Sequence, residues 1–203
     1  MTTFRTSGIT GKTRNKCFQK AGISGEDGFR LPLISSVDGR IPNRTILEET
    51  EIMFIRRLTK EDYSTALAFF DALDEMHCIA RPDCFQKRDI AYPQDAFLQV
   101  ISEPDCLMIG AFEEMEMLGL LRASVWREKT VSVCVDSLYV KPAFRRKGIA
   151  SSLMNAAEDW AGEKEALRIE LHVWDFNRDA LSLYQKLGMT PQRYILEKDL
   201  RNA

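Results

Sequence analysis

The sequence predicts an α/β (α+β) domain over residues 51–203: a mixed, mostly antiparallel sheet that holds one parallel strand pair and is flanked by helices. Three observations carry that expectation. Residues 107–112 and 118–126 are apolar runs on either side of the turn 113–116, which reads as an antiparallel hairpin. The apolar run from Val131 to Val140 is followed by a basic turn, an amphipathic helix from Gly148, and an alternating run at Leu167, Ile169, Leu171 and Val173. Strand, helix and strand in that order form a crossover, which makes the two strands parallel. Hydrophobic residues make up 45% of the 203 and charged residues 29%, the balance of a globular chain with a core to bury.

Each element has its own signal. Met53–Arg57 reads as the first strand. Thr59 can cap the helix that follows, with Asp62 at the capping-box position and Leu67, Phe70 and Leu73 on its apolar face. Pro82 and Pro93 break the next stretch, and Gln94–Ser102 reads as a second helix. In the strand 131–140 the apolar positions change parity, from Val131, Val133 and Val135 to Leu138 and Val140. A strand alternates faces with period two, so one extra residue, a β-bulge between 135 and 138, restores the core face. Burial on both faces is the other account of the pattern. Ile149, Leu153, Ala156, Ala157 and Trp160 give the helix 148–161 one buried face. Asn177 caps a last helix with Ala180, Leu183, Tyr184 and Leu187 on one side. Gly188 stops it, and 194–198 reads as a final strand.

The stretch from Leu138 to Ala150 is the most specific in the chain. Arg145, Arg146 and Lys147 place three cations where Gly148 opens the helix. A helix N-terminus has unpaired N–H groups and a partial positive charge, and glycine lets the backbone approach a ligand closely. The stretch therefore reads as a diphosphate cradle, against the plainer alternative of a solvated basic turn with an ordinary cap.

Arg145-x-x-Gly148-x-Ala150 after such a strand resembles the acetyl-CoA motif of the GCN5-related N-acetyltransferase (GNAT) family, Gln/Arg-x-x-Gly-x-Gly/Ala. Asn177 to Met189 resembles that family's Asn-x-x-Ala-x-x-Leu-Tyr-x-x-x-Gly-Phe segment, with Met189 in place of Phe. The resemblance runs from about Leu118 to Leu196, more loosely from Phe54 to Ala111, and not over the first fifty residues. It implies a splayed central pair of parallel strands and acetyl-CoA as co-substrate; no metal is expected, because Cys78 and Cys84 lie near His77 without a fourth ligand at zinc spacing. It also implies acetyl transfer, by direct attack, to a primary amine of a small molecule or of a protein N-terminus or lysine. By the same resemblance the backbone of Leu138 and Val140 pairs with pantetheine. The N–H groups of Arg146, Lys147, Gly148, Ile149 and Ala150 hold the diphosphate beside the Arg145 cation, and Asn177 touches pantetheine. Tyr184 is the candidate acid for the leaving thiolate, and Asp136, in the bulge, the candidate base or substrate anchor. Plain packing for Tyr184 and a plain cap for Asn177 are the structural alternatives. His77 is a weaker base candidate, and Trp174 and Phe176 either line the acceptor groove or pack its rim.

Residues 1–50 differ from the rest. No acid precedes Glu26, Arg5, Lys12, Arg14, Lys16 and Lys20 are basic, and no core-forming periodicity is present. A flexible or loosely packed extension fits best, beside a transit peptide or a native start at Met53. Gly8-Ile-Thr-Gly11-Lys12-Thr13 is two residues short of a P-loop. Net charge of −2 and the lack of a long apolar run argue against nucleic-acid and membrane partners. An odd five cysteines without Cys-x-x-Cys read as reduced and mostly buried, in a cytoplasmic setting. A homodimer is left open. The rival readings are a non-catalytic CoA-binding regulatory module and an adaptor that binds through its basic N-terminal arm. Asp71, Asp74, Glu75, Asp83 and Asp89 would suit a polyamine, or simply form a solvated face.

Overall fold

In the computed structural model the described residues are 53–200, so the expectations for residues 1–50 lie outside them. The elements run β1 (Met53–Arg57), α1 (Tyr63–Ala80), α2 (Gln94–Ser102), β2 (Cys106–Glu113), β3 (Glu116–Arg127) and β4 (Val131–Val140). They continue with α3 (Ile149–Glu163), β5 (Ile169–Leu171) and α4 (Arg178–Lys186). The sheet has the order β1-β2-β3-β4-β5. Its first four strands are antiparallel neighbours, and β4 and β5 are parallel.

The start of α1 shows how local chemistry sets a boundary. Asp62 accepts from the Thr59 N–H at 2.7 Å and from the Thr59 hydroxyl at 3.0 Å. The same carboxylate receives a two-pronged contact from Arg56 at 2.7 and 2.9 Å, which ties the helix start to β1. At the other end of the chain, the Met189 N–H donates to Tyr184 and the Gly188 N–H to Gln185, with Gly188 at φ 83°. These are the bonds of a Schellman motif, and glycine meets its left-handed position without strain.

The parity change in β4 is a bulge. Arg122 pairs with Ser137 but Ala123 pairs with Val135, so Asp136 has no partner across the ladder. The alternative account also holds over part of the strand, because Ser132 through Val135 are all buried. Helices on both faces explain this. Leu121, Ala123, Val133, Leu153 and Ala157 pack on the α3 side, and Phe69, Phe97, Met108 and Leu120 on the α1–α2 side. Close approach of α3 needs Gly119, where an added Cβ would lie 3.0 Å from the Tyr139 carbonyl and 3.2 Å from Ile149 and Leu153.

Two expectations fail at the far end of the sheet. β5 spans three residues, and Leu167, placed in it by alternation, is 76% exposed. The segment 194–198 forms no strand, and Tyr194, Ile195 and Leu196 are 81, 86 and 91% exposed. A strand needs a neighbour at about 4.8 Å. Just before this segment, side-chain tips alone reach the β5 side among the described residues, Gln192 to Glu170 at 3.5 Å and Arg193 to His172, one residue past β5, at 3.1 Å. Leu153→Ala is therefore expected to cost about 2–5 kcal/mol in urea unfolding, the usual loss for an emptied core site. Leu196→Ala is expected to stay within about 0.5 kcal/mol, as for other exposed positions. A large loss for Leu196→Ala would place that segment in a core after all.

Candidate active site

The bulge decides where the main chain of β4 points. The Val133 N–H donates to the Arg168 carbonyl at 3.0 Å, toward β5, while the Lys141 N–H donates to Leu118 at 2.9 Å, toward β3. Direction alternates along a strand, so Val133 and Val135 face β5 before the bulge, and Leu138 and Val140 face that side after it. Pairing with β5 ends at Val135 and Leu171. Beyond that point β4 has no strand partner on this side, and its open edge is formed by the main-chain groups of Leu138 and the N–H of Val140, whose carbonyl accepts from Arg145 Nε. The strands part here, as the splay requires.

The open edge leads to the turn before α3. The N–H groups of Arg146, Lys147, Gly148, Ile149 and Ala150 find no acceptor among the described residues. Gly148 sits at φ 85°, and a Cβ built on it would meet nothing within 4 Å, so the space beside the row is free. Arg146 holds the left-handed value of 66°, a conformation of order 1 kcal/mol above its usual one. Ile149 is buried in the core and offers the site only its main chain. Arg145 turns back: its Nε donates to the Val140 carbonyl at 3.0 Å and its guanidinium lies 5.8 Å over the Tyr139 ring.

Beside the edge opens a cavity of about 520 Å³, lined by Asp74, Tyr92, Asp136, Leu138, Trp174 and Tyr184 among others. Asp136 accepts from the Ser124 hydroxyl at 3.0 Å, and an Arg122 nitrogen stands 3.8 Å away. The residue is exposed as a whole, but its side chain is only 22% exposed, so the open surface is largely main chain. Burial pushes the Asp136 carboxyl above its ordinary value, and Arg122, Ser124 and His172 pull it down without cancelling that effect. Burial likewise raises the Tyr184 phenol. Asn177 caps α4 by accepting from the Ala180 N–H at 3.3 Å, and it lines both this cavity and a second one of similar volume near Arg145.

His77 is packed among aromatic rings. It stacks on Phe85 at 5.1 Å, and Phe85, Trp174 and Phe176 continue the cluster with Arg81 4.9 Å over Trp174. Of the five acids in the α1 region, only Asp74 lines the cavity beside the β4 edge, and Arg88 binds it at 2.8 Å. Arg122 and Tyr92 also line the cleft, Ser124 supports it through Asp136, and none of the three was singled out from the sequence. The available signal was an arginine and a serine two apart inside an apolar strand. Cys134 is buried, and its thiol is pushed up to about 11 by burial; Cys78 and Cys106 are half-buried and Cys84 is exposed, so most of these cysteines are less buried than expected. Among the described residues no group of three or more His, Cys, Asp and Glu is arranged to hold a metal ion.

The profile described as the Acetyltransferase (GNAT) family matches residues 69–189. The chain belongs to the GNAT acetyltransferase family. Its match to streptothricin acetyltransferase from Escherichia coli is 31% identical over 100 residues, 49% of this chain and 56% of that one. Its match to thialysine N-epsilon-acetyltransferase from Bos taurus is 32% identical over 65 residues, 32% of this chain and 37% of that one. The chain thus spans only a third to just over half of the length of these GNAT relatives. A variant of the BH1408 protein from Bacillus halodurans shares the fold at TM-score 0.69 and 22% identity, with 72% of this chain and 99% of that one covered. Aminoglycoside N-acetyltransferase AAC(6')-Iy, solved with CoA, shares it at TM-score 0.60 and 19% identity, with 76% and 99% covered.

Proposed function

We propose that the chain is an acetyl-CoA-dependent N-acetyltransferase that acts on a primary amine by direct attack. The observation that supports it most is the continuity between the open β4 edge at Leu138 and Val140 and the row of unpaired N–H groups from Arg146 to Ala150. An edge suits the amides of an extended arm, and the row suits a diphosphate at the arm's end. The free space over Gly148 fits such a group. When bound, acetyl-CoA supplies an acetyl thioester: amine attack forms the C–N bond, breaks the C–S bond and frees the CoA thiol.

The chain's own residues supply positions and protons. Asp136, with its carboxyl raised by burial, takes the proton that an ammonium must lose before it attacks. Tyr184, with its phenol raised, keeps a proton to give to a departing thiolate. No covalent intermediate is needed. The cavity-facing thiol, Cys84, is raised by partial desolvation and by its contact with Asp83, so it is a poor nucleophile. Relatives named for acetyl transfer to streptothricin, thialysine and aminoglycosides support the reaction class.

Thiol release from acetyl-CoA across a panel of amines tests the reading, with calorimetry of acetyl-CoA binding alongside. Gly148→Asp sets a carboxylate in the free space and is expected to abolish binding; unchanged affinity would sink the cradle. Tyr184→Phe keeps the ring and is expected to lower turnover roughly 10²–10⁴-fold with little change in acetyl-CoA affinity. Near-normal turnover would remove Tyr184 from the proton path. A base works when ionised, so the rate should rise with pH through the raised value of Asp136 and level off above it. Asp136→Asn should erase that limb and slow the plateau roughly 10²–10⁴-fold. A profile that keeps its limb in Asp136→Asn would assign the base elsewhere.

A further inference from the structure

Arg122 stands out among the half-buried arginines. Its side chain is 27% exposed, its Nε is buried without a partner, and its guanidinium makes no hydrogen bond among the described residues. The Asp136 contact at 3.8 Å is too long for one. Arg81, at 20% exposure, shows the ordinary state by contrast: it donates to Asp83, Glu197 and Cys84. Arg122 projects from β3 on the sheet side that holds Leu120 and Ser124. There it lines the cavity with Asp136 and lies 5.5 Å over the Tyr92 ring.

We propose that Arg122 binds a carboxylate of the acceptor, so that the acceptor is a small amino acid whose amine lies a few bonds from its carboxyl group. This rests on the N-acetyltransferase reading and deepens it. A buried arginine fork with open donors matches the two oxygens of a carboxylate. Arg122 and Asp136 stand side by side at 3.8 Å, so the groups they recognise lie close together on the ligand: the ammonium goes to Asp136 and the carboxylate to Arg122. A zwitterion of that shape neutralises both side chains at once. A polyamine does not, because it would leave Arg122 facing a like charge. The other cavity carboxylate, Asp74, is already held by Arg88. A phosphate dianion fits less well, since Asp136 would oppose its second charge.

The test compares α-amino acids and β-alanine with their amides and with the matching amines that lack the carboxyl group. It uses the full chain in two assays: thiol release with acetyl-CoA, and calorimetry with and without CoA. In wild type the carboxylate form should be favoured roughly 10–100-fold in kcat/KM and in affinity, the range of a hydrogen bond to a charged group. In Arg122→Met that ratio should fall to near one. Arg122→Lys, which keeps the charge but not the fork, should restore part of it and guards against a folding failure of Arg122→Met. An equal loss for all acceptors in Arg122→Met would make the residue a support for Asp136 alone and overturn the inference. So would a wild-type ratio near one. If no amine is acetylated, yet amino acids bind in an Arg122-dependent way, the acetyltransferase reading fails and the carboxylate site stands.

Discussion

One unpaired residue in β4 organises everything on this face of the sheet. Without Asp136, the side chains of Val133 and Val135 could not share a core with Val140, because the strand would carry one set to the wrong face. The same insertion turns the main chain, so that Leu138 and Val140 point along the side where Val133 and Val135 meet β5. It also holds a carboxylate at the place where the two parallel strands separate. Core packing, an open edge and a buried acid thus follow from a single departure from regular pairing, and none can be changed without the others.

The distribution of satisfied and unsatisfied polar groups sets the cleft apart. Away from it, charged side chains find partners: Asp62 with Arg56, Asp105 with Arg127, Asp83 with Arg81. Around it, the N–H row before α3 and the Arg122 Nε have no acceptor among the described residues. A buried donor without a partner costs about 1–3 kcal/mol, and the Arg122 Nε is such a donor at the edge of the cavity. Open donors gathered beside one cavity are what a ligand-binding reading explains and a purely structural one does not.

Much of this was legible in the sequence. The boundaries of β1 and α2 agree with the expected ones, and the bulge was visible as a parity change because side chains alternate strictly along a strand. The turn before α3 was visible because glycine and consecutive cations are rare together at a helix start. What the sequence hid depends on tertiary neighbours. Leu167 and 194–198 have strand-like residues, but side-chain pattern cannot show whether a backbone partner is within reach. Arg122 was hidden for the same reason: an arginine in a strand is ordinary, and only its buried Nε without a hydrogen bond makes it distinctive. The acidic α1 region invited a polycation until Arg88 and Arg81 were seen to occupy two of its carboxylates.

The sheet is unequally anchored. β3 and β4 share nine residue pairs and β4 and β5 only three, with no strand beyond β5 among the described residues to hold it from the other side. Local opening draws on the least anchored segments, so amide hydrogens of β5 exchange with solvent at a lower free energy than those of the β2–β3 hairpin. A ligand that bridges the gap between β4 and β5 ties this loose margin to the firm part of the sheet. Protection of β5 against exchange then becomes a measure of occupancy, because whatever binds only the closed arrangement stabilises it by its own binding free energy.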